Sequence, residues 1–107
     1  MKKSVRDLLQ MYENALGAEG YPRREVGHTP QSEDDLLGHA RWMIDHMQNG
    51  ADARFESEMC VMNWIGMIQG ILFSSKKFAL PALRAQSDNL CGPQQAMKPV
   101  KTLPALR

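Results

Sequence analysis

From Met59 to Ser75 the chain carries no charged residue, and between Met59 and Phe73 nearly every position is apolar, interrupted by Asn63, Gly66, Gln69 and Gly70. Folded as a helix, such a segment has no polar face, so one neighbouring helix cannot cover it. It is expected either at the centre of the monomer or closed over by a second copy. A membrane span is not expected, because crossing takes about 20 consecutive apolar residues and Glu58 and Lys76 bracket the run closely. The rest of the fold is constrained by what can pack against this one segment.

The best marked partner lies just upstream. Ser32 followed by Glu33, Asp34 and Asp35 is a strong helix start, a capping hydroxyl and three acids facing the positive end of the dipole. Leu36, Leu37, Ala40, Met43, Ile44 and Met47 then form an apolar stripe, and Asn49-Gly50 supplies a stop, so a helix is expected from about Glu33 to Gln48. Asp52 can cap the next helix a few residues later, and so short a connection folds the two back as an antiparallel hairpin. Val5, Leu8, Leu9, Tyr12 and Leu16 mark an N-terminal helix, with Ser4 placed to cap it and Gly17 to end it. Residues 17–31, with three glycines, Pro22 and Pro30, read as a long loop. Pro81 suits the first turn of a short C-terminal helix ending near Asp88. The expected architecture is all-α: one domain over residues 1–90, with a flexible tail over 91–107 where Gly92, Pro93, Pro99 and Pro104 fall.

Charge narrows the function classes. Thirteen basic against twelve acidic residues leave +1 on 107 residues, far from the excess that drives general nucleic-acid binding. The balance is equally far from the acidity of a DNA mimic. Cys60 and Cys91 lack CxxC spacing and read as free thiols, and the basic start Met1-Lys2-Lys3 is not followed by the apolar stretch of a signal peptide. A cytoplasmic location is expected.

Several constellations are candidates for binding. His39, Trp42 and His46 fall on one side of the second helix and can form a recognition surface. They do not read as a metal site, because the two histidines are separated by about 10 Å along a helix axis. Arg23, Arg24, Arg41 and Arg54 can together hold an anion, with Arg41 and Arg54 on the two arms of the hairpin. Gly66, Gly70 and Ser74 make a strip of small residues on the third helix, suited either to close packing of the first or second helix or to a symmetric contact with another copy. Asn63 and Gln69, amides in an apolar helix, are expected to bond within the monomer or to fix the register of an oligomer. No catalytic constellation emerges: Ser32 and Ser57 lack a nucleophile-elbow context, and no phosphate-cradling loop or cofactor motif is present.

The run Asn63-Trp64-Ile65-Gly66-Met67-Ile68-Gln69-Gly70-Ile71-Leu72, preceded by a helix carrying His39 and Trp42-Met43, resembles a segment of small accessory proteins of tailed bacteriophages and prophages. The resemblance extends over about Leu36 to Asn89. It departs from that pattern at Asn63, where a basic residue would stand. What it implies is a phage accessory protein that acts by stoichiometric binding to a host protein, as an inhibitor in counter-defence or host takeover. Two other expectations accompany it: an oligomeric sponge for a small anionic signal such as a cyclic oligonucleotide, and a virion or packaging subunit. The sponge reading rests on similarity to phage anti-CBASS sponges in size and hairpin architecture.

Overall fold

A computed structural model describes residues 1–27 and 29–91; the tail expected beyond that point, and His28, lie outside the described residues. Four helices follow in order, α1 (Lys3–Ala18), α2 (Glu33–Asn49), α3 (Glu58–Ser74) and α4 (Leu80–Cys91), with a single 3-10 turn (Ala53–Glu56) between α2 and α3. The all-α fold, the α2–α3 hairpin and the flanking N- and C-terminal helices are as the sequence predicts.

Local chemistry sets the boundaries. The Ser32 hydroxyl accepts from the Asp35 N–H at 3.1 Å, and the Asp35 carboxylate in turn accepts from the Gln31 N–H at 3.0 Å, so the start of α2 is closed from both sides. Four expected boundaries are corrected. Helix α1 begins one residue before Ser4 with no side-chain cap, and it runs past Gly17 to Ala18: the left-handed residue that closes it is Gly20, at φ 84°, beyond which the Tyr21 N–H reaches back to the Leu16 carbonyl. Asp52 caps the 3-10 turn, and it is Ser57 that caps α3, through the Cys60 N–H. Helix α4 runs on to Cys91.

One apolar core joins all four helices. Leu9, Tyr12 and Leu16 of α1, Leu37, Met43 and Ile44 of α2, and Ile65, Ile68 and Leu72 of α3 are fully buried, with Phe55 from the 3-10 turn and Leu83 from α4 closing the ends. A polar chain crosses this core. Tyr12 donates to Gln86 at 2.6 Å, Gln69 donates to the Tyr12 oxygen at 3.0 Å, and Ser87 donates to Gln69 at 3.1 Å. Gln69 is therefore satisfied inside the monomer, by α1 and α4 instead of by its hairpin partner. Burial also raises the Tyr12 pKa, with the Gln69 bond opposing the shift.

Helix α3 is not central. Its inner face is covered, but Met59, Asn63, Gly66, Met67, Gly70, Phe73 and Ser74 lie exposed along the other side. A Cβ placed on Gly66 or Gly70 would meet no described atom within 4 Å. The expectation that α1 or α2 lies in this glycine groove is thus corrected: the inner row of branched side chains, Val61, Ile65, Ile68 and Leu72, is what the neighbours pack against.

Candidate functional site

The long loop after α1 is tied down before it reaches α2, and that anchoring shapes the site. At Gly38 the chain approaches so closely that a Cβ would lie 2.8 Å from the Pro22 carbonyl oxygen. The Arg24 N–H bonds the Gly38 carbonyl at 3.1 Å. Two residues on, the Val26 N–H donates to His39 Nδ1 at 3.0 Å, which makes that nitrogen an acceptor and leaves Nε2 to carry the proton of the neutral ring. His39 is held by the loop.

From this fixed ring a column of aromatic side chains runs down α2. His39 stacks on Trp42 at 5.5 Å between centroids, and Trp42 stacks on His46 at 5.0 Å with the planes 12° apart. The spacing of three and four residues brings all three rings onto one side of the helix, as the sequence predicts. The hairpin then adds what sequence spacing did not reveal. Trp64 of α3 stacks on His46 at 5.7 Å, and Phe55 of the 3-10 turn meets Trp64 edge-on at 4.9 Å. The signal for Trp64 lay in the turn, since residues about equally distant from it on two antiparallel arms come together.

Charge borders this column at the turn. Arg54 lies 5.5 Å from the Trp64 ring, in cation–π range, and its Nε bonds Asp52 at 2.8 Å. The other neighbour of Asp52 is His46, 3.3 Å from the same carboxylate oxygen. The Arg54 backbone N–H first of all holds the Asp52 carboxyl below the usual carboxylate range; desolvation opposes it, and the His46 and Arg54 side chains add to the lowering. Together Glu25, His39, Trp42, His46, Arg54, Trp64 and Met67 border an open cleft of about 530 Å³.

The other predicted residues are distributed elsewhere. Arg41 faces away from Arg54: its Nε and Nη2 bond the buried Glu13 carboxylate of α1 at 2.9 and 2.7 Å, and its Nη1 bonds the Tyr21 carbonyl at 2.5 Å. Arg23 bonds the same Glu13 oxygen at 2.7 Å, and Arg24 pairs with Asp35 at 3.3 Å. The expected pooling of all four guanidinium groups around one anion is therefore corrected: Arg23 and Arg41 converge on Glu13, while Arg24 is drawn to Asp35 and Arg54 to Asp52. Asn63, Gly66, Gly70 and Ser74 lie together on the open side of α3, apart from Gln69. Among the described residues no group of three or more His, Cys, Asp or Glu side chains is arranged to hold a metal ion, and no helix is long and apolar enough to cross a membrane. Set against known proteins, the chain matches no protein-family model, no curated protein and no solved structure.

Proposed function

We propose that this protein acts by stoichiometric binding, and that its docking site for a partner protein is the aromatic cleft between α2 and α3. The observation that carries this reading is that Trp42, Trp64 and Arg54, of the residue types that dominate binding energy at interfaces, share one partly open cleft and are held before any partner arrives, the tryptophans by stacking on His46 and Arg54 by Asp52 and the Trp64 ring. Preorganised rings lose little side-chain freedom on docking. A cleft of about 530 Å³ accommodates one or two apolar or aromatic side chains of a partner, with Asp52, Glu25 and Arg54 at its edge for polar contacts. The resemblance to phage accessory proteins supplies the biological setting, inhibition of a host factor. The sponge for an anionic signal is less well supported, since Arg41 is bound to Glu13 and Arg54 to Asp52.

The test uses the two tryptophans, Trp42 and Trp64, which are the only two in the chain and both border the cleft. Bacterial lysate is passed over the immobilised protein and over Arg54→Ala and Trp64→Ala variants. A partner retained by the parent, lost by both variants, and able when purified to shift the tryptophan emission at one-to-one stoichiometry is the expected result. Retention that is indifferent to both substitutions would sink the assignment of the cleft.

A further inference from the structure

The uncovered side of α3 has an order of its own. Met59, Asn63, Gly66, Gly70 and Phe73 are all exposed, and they follow one another at intervals of four, three, four and three residues. That is the spacing of a coiled-coil seam, on a face no described residue covers. Its large side chains are well exposed, Met59 at 75%, Met67 beside the seam at 57% and Phe73 at 50%. Its middle is the reverse, two glycines with open space above them. Large side chains at the two ends and glycines in the centre give a face with the same pattern read from either end, as a two-fold contact requires.

We infer that α3 pairs with α3 of a second copy, antiparallel, about a two-fold axis at Gly66. Gly66 is the midpoint of Glu58–Ser74, so a crossing there engages the whole helix. In that register Gly66 faces the partner's Gly66, and the two backbones approach to about 8 Å or less. Met59 faces the partner's Phe73, and Asn63 comes beside the partner's Gly70, where its amide has room to meet main-chain carbonyls. Beyond the helix ends, Glu56 faces the partner's Lys76; both are exposed and neither takes part in an ion pair among the described residues. The antiparallel arrangement also sets opposite helix dipole ends beside each other. Beside the seam, Gly70, Phe73, Leu80 and Leu83 border an apolar hollow of about 310 Å³ into which the partner's Met59 fits as a knob.

The area sets the strength. The exposed parts of Met59, Met67, Phe73 and Leu80 amount to roughly 400 Å² per copy, so a symmetric pair buries on the order of 1,000 Å² with its polar margin, the lower edge of specific interfaces. The monomer core is complete without a partner, so association is reversible, with Kd on the order of micromolar. This inference does not rest on the ring column of the cleft, although Met67 borders both the cleft and the seam.

Sedimentation velocity of the full chain from about 1 µM to about 1 mM tests it directly. The parent is expected to pass from monomer to dimer. Gly66→Ala and Gly66→Glu, which meet open space in the monomer, are expected to keep the parent's helicity by circular dichroism, with dissociation at least tenfold easier for the first and no dimer for the second. Arg54→Ala is expected to dimerise as the parent does. A parent that stays monomeric throughout overturns the inference, and so does a dimer that survives Gly66→Glu. If Gly66→Glu loses helicity, Met59→Glu, at the solvent end of the seam, takes its place: loss of the dimer supports the pairing and its survival overturns it.

Discussion

The buried ion cluster at Glu13 offers the sharpest test of how the long loop is held to the bundle. Glu13 Oε2 accepts from Arg41 Nε and Nη2 and from Arg23 Nη2, and the side chains of Glu13 and Arg41 are only 11% and 18% exposed. Replacing Glu13 by Gln preserves shape and removes the charge, leaving the Arg41 guanidinium without a counterion in a largely water-free place. Breaking one partner of a buried pair costs about 3–5 kcal/mol. The Tyr21 carbonyl still accepts from Arg41 Nη1, and the residual exposure lets in some water, so about 2–4 kcal/mol is expected here. Arg23, nearly half exposed and 3.8 Å from Asp45, adds less than about 1 kcal/mol.

Domains of this size are stable by about 5–15 kcal/mol, and each kcal/mol moves the melting point by roughly 4–8 °C. Glu13→Gln is therefore expected to melt about 10–20 °C below the parent. The same physics makes a second expectation: Glu13→Leu combined with Arg41→Met removes both charges together and falls within about 1–2 kcal/mol of the parent. Urea unfolding of the parent, Glu13→Leu, Arg41→Met and the double variant closes the cycle. If Glu13→Gln melts within about 3 °C of the parent, or the double variant is as unstable as the single, the cluster is a solvated surface pair and the reasoning fails.

Tyr12→Phe is expected to lower stability by about 1–2 kcal/mol at unchanged urea dependence, because it deprives Gln69 of an acceptor and Gln86 of a donor at the α1–α3–α4 junction. Lys76 holds φ 60° at the end of α3, where the Lys77 N–H bonds the Leu72 carbonyl, so Lys76→Gly is expected to raise the melting point, worth up to about 1 kcal/mol in the same unfolding assay. Asp52 has a lowered pKa, so its charge stabilises the fold fully above the ordinary carboxylate range and ceases to do so as pH falls through that range to the lowered value. The melting points of the parent and of Asp52→Asn are expected to differ at neutral pH and to converge in acid; a gap that widens in acid contradicts the assignment.

How far the fold could be read in advance depended on whether each signal was local. Ser32 with its three acids is complete within a few residues, and the start of α2 falls where it predicts. The end of α1 was harder, since Gly17 and Gly20 both offer a stop and only the second sits where a left-handed residue lets Tyr21 reach Leu16. Asp52 and Ser57 likewise both offer caps; the short turn between them exists because Phe55 is buried under the hairpin, a tertiary fact. The same holds for the site. The α2 part of the ring column is helical arithmetic, whereas Trp64 and Phe55 join it only across the turn, and Arg41 leaves it only because Glu13 waits on another helix.

Helix α3 was the opposite case, a segment whose helicity was plain and whose orientation was not. An amphipathic pattern tells which side is inward; a run apolar on every side carries no such phase. Branched Val61, Ile65, Ile68 and Leu72 turn inward, and the glycines, which contribute nothing to a core, turn out. Each exposed helical glycine costs about 1 kcal/mol relative to alanine, and within the monomer nothing described repays it. A helix that leaves Met59, Met67 and Phe73 in water and places two glycines between them is under-stabilised alone. Close approach of another backbone compensates for both features at once, and an alanine at Gly66 distinguishes that account from a merely tolerated glycine: it strengthens the isolated helix while weakening the pair.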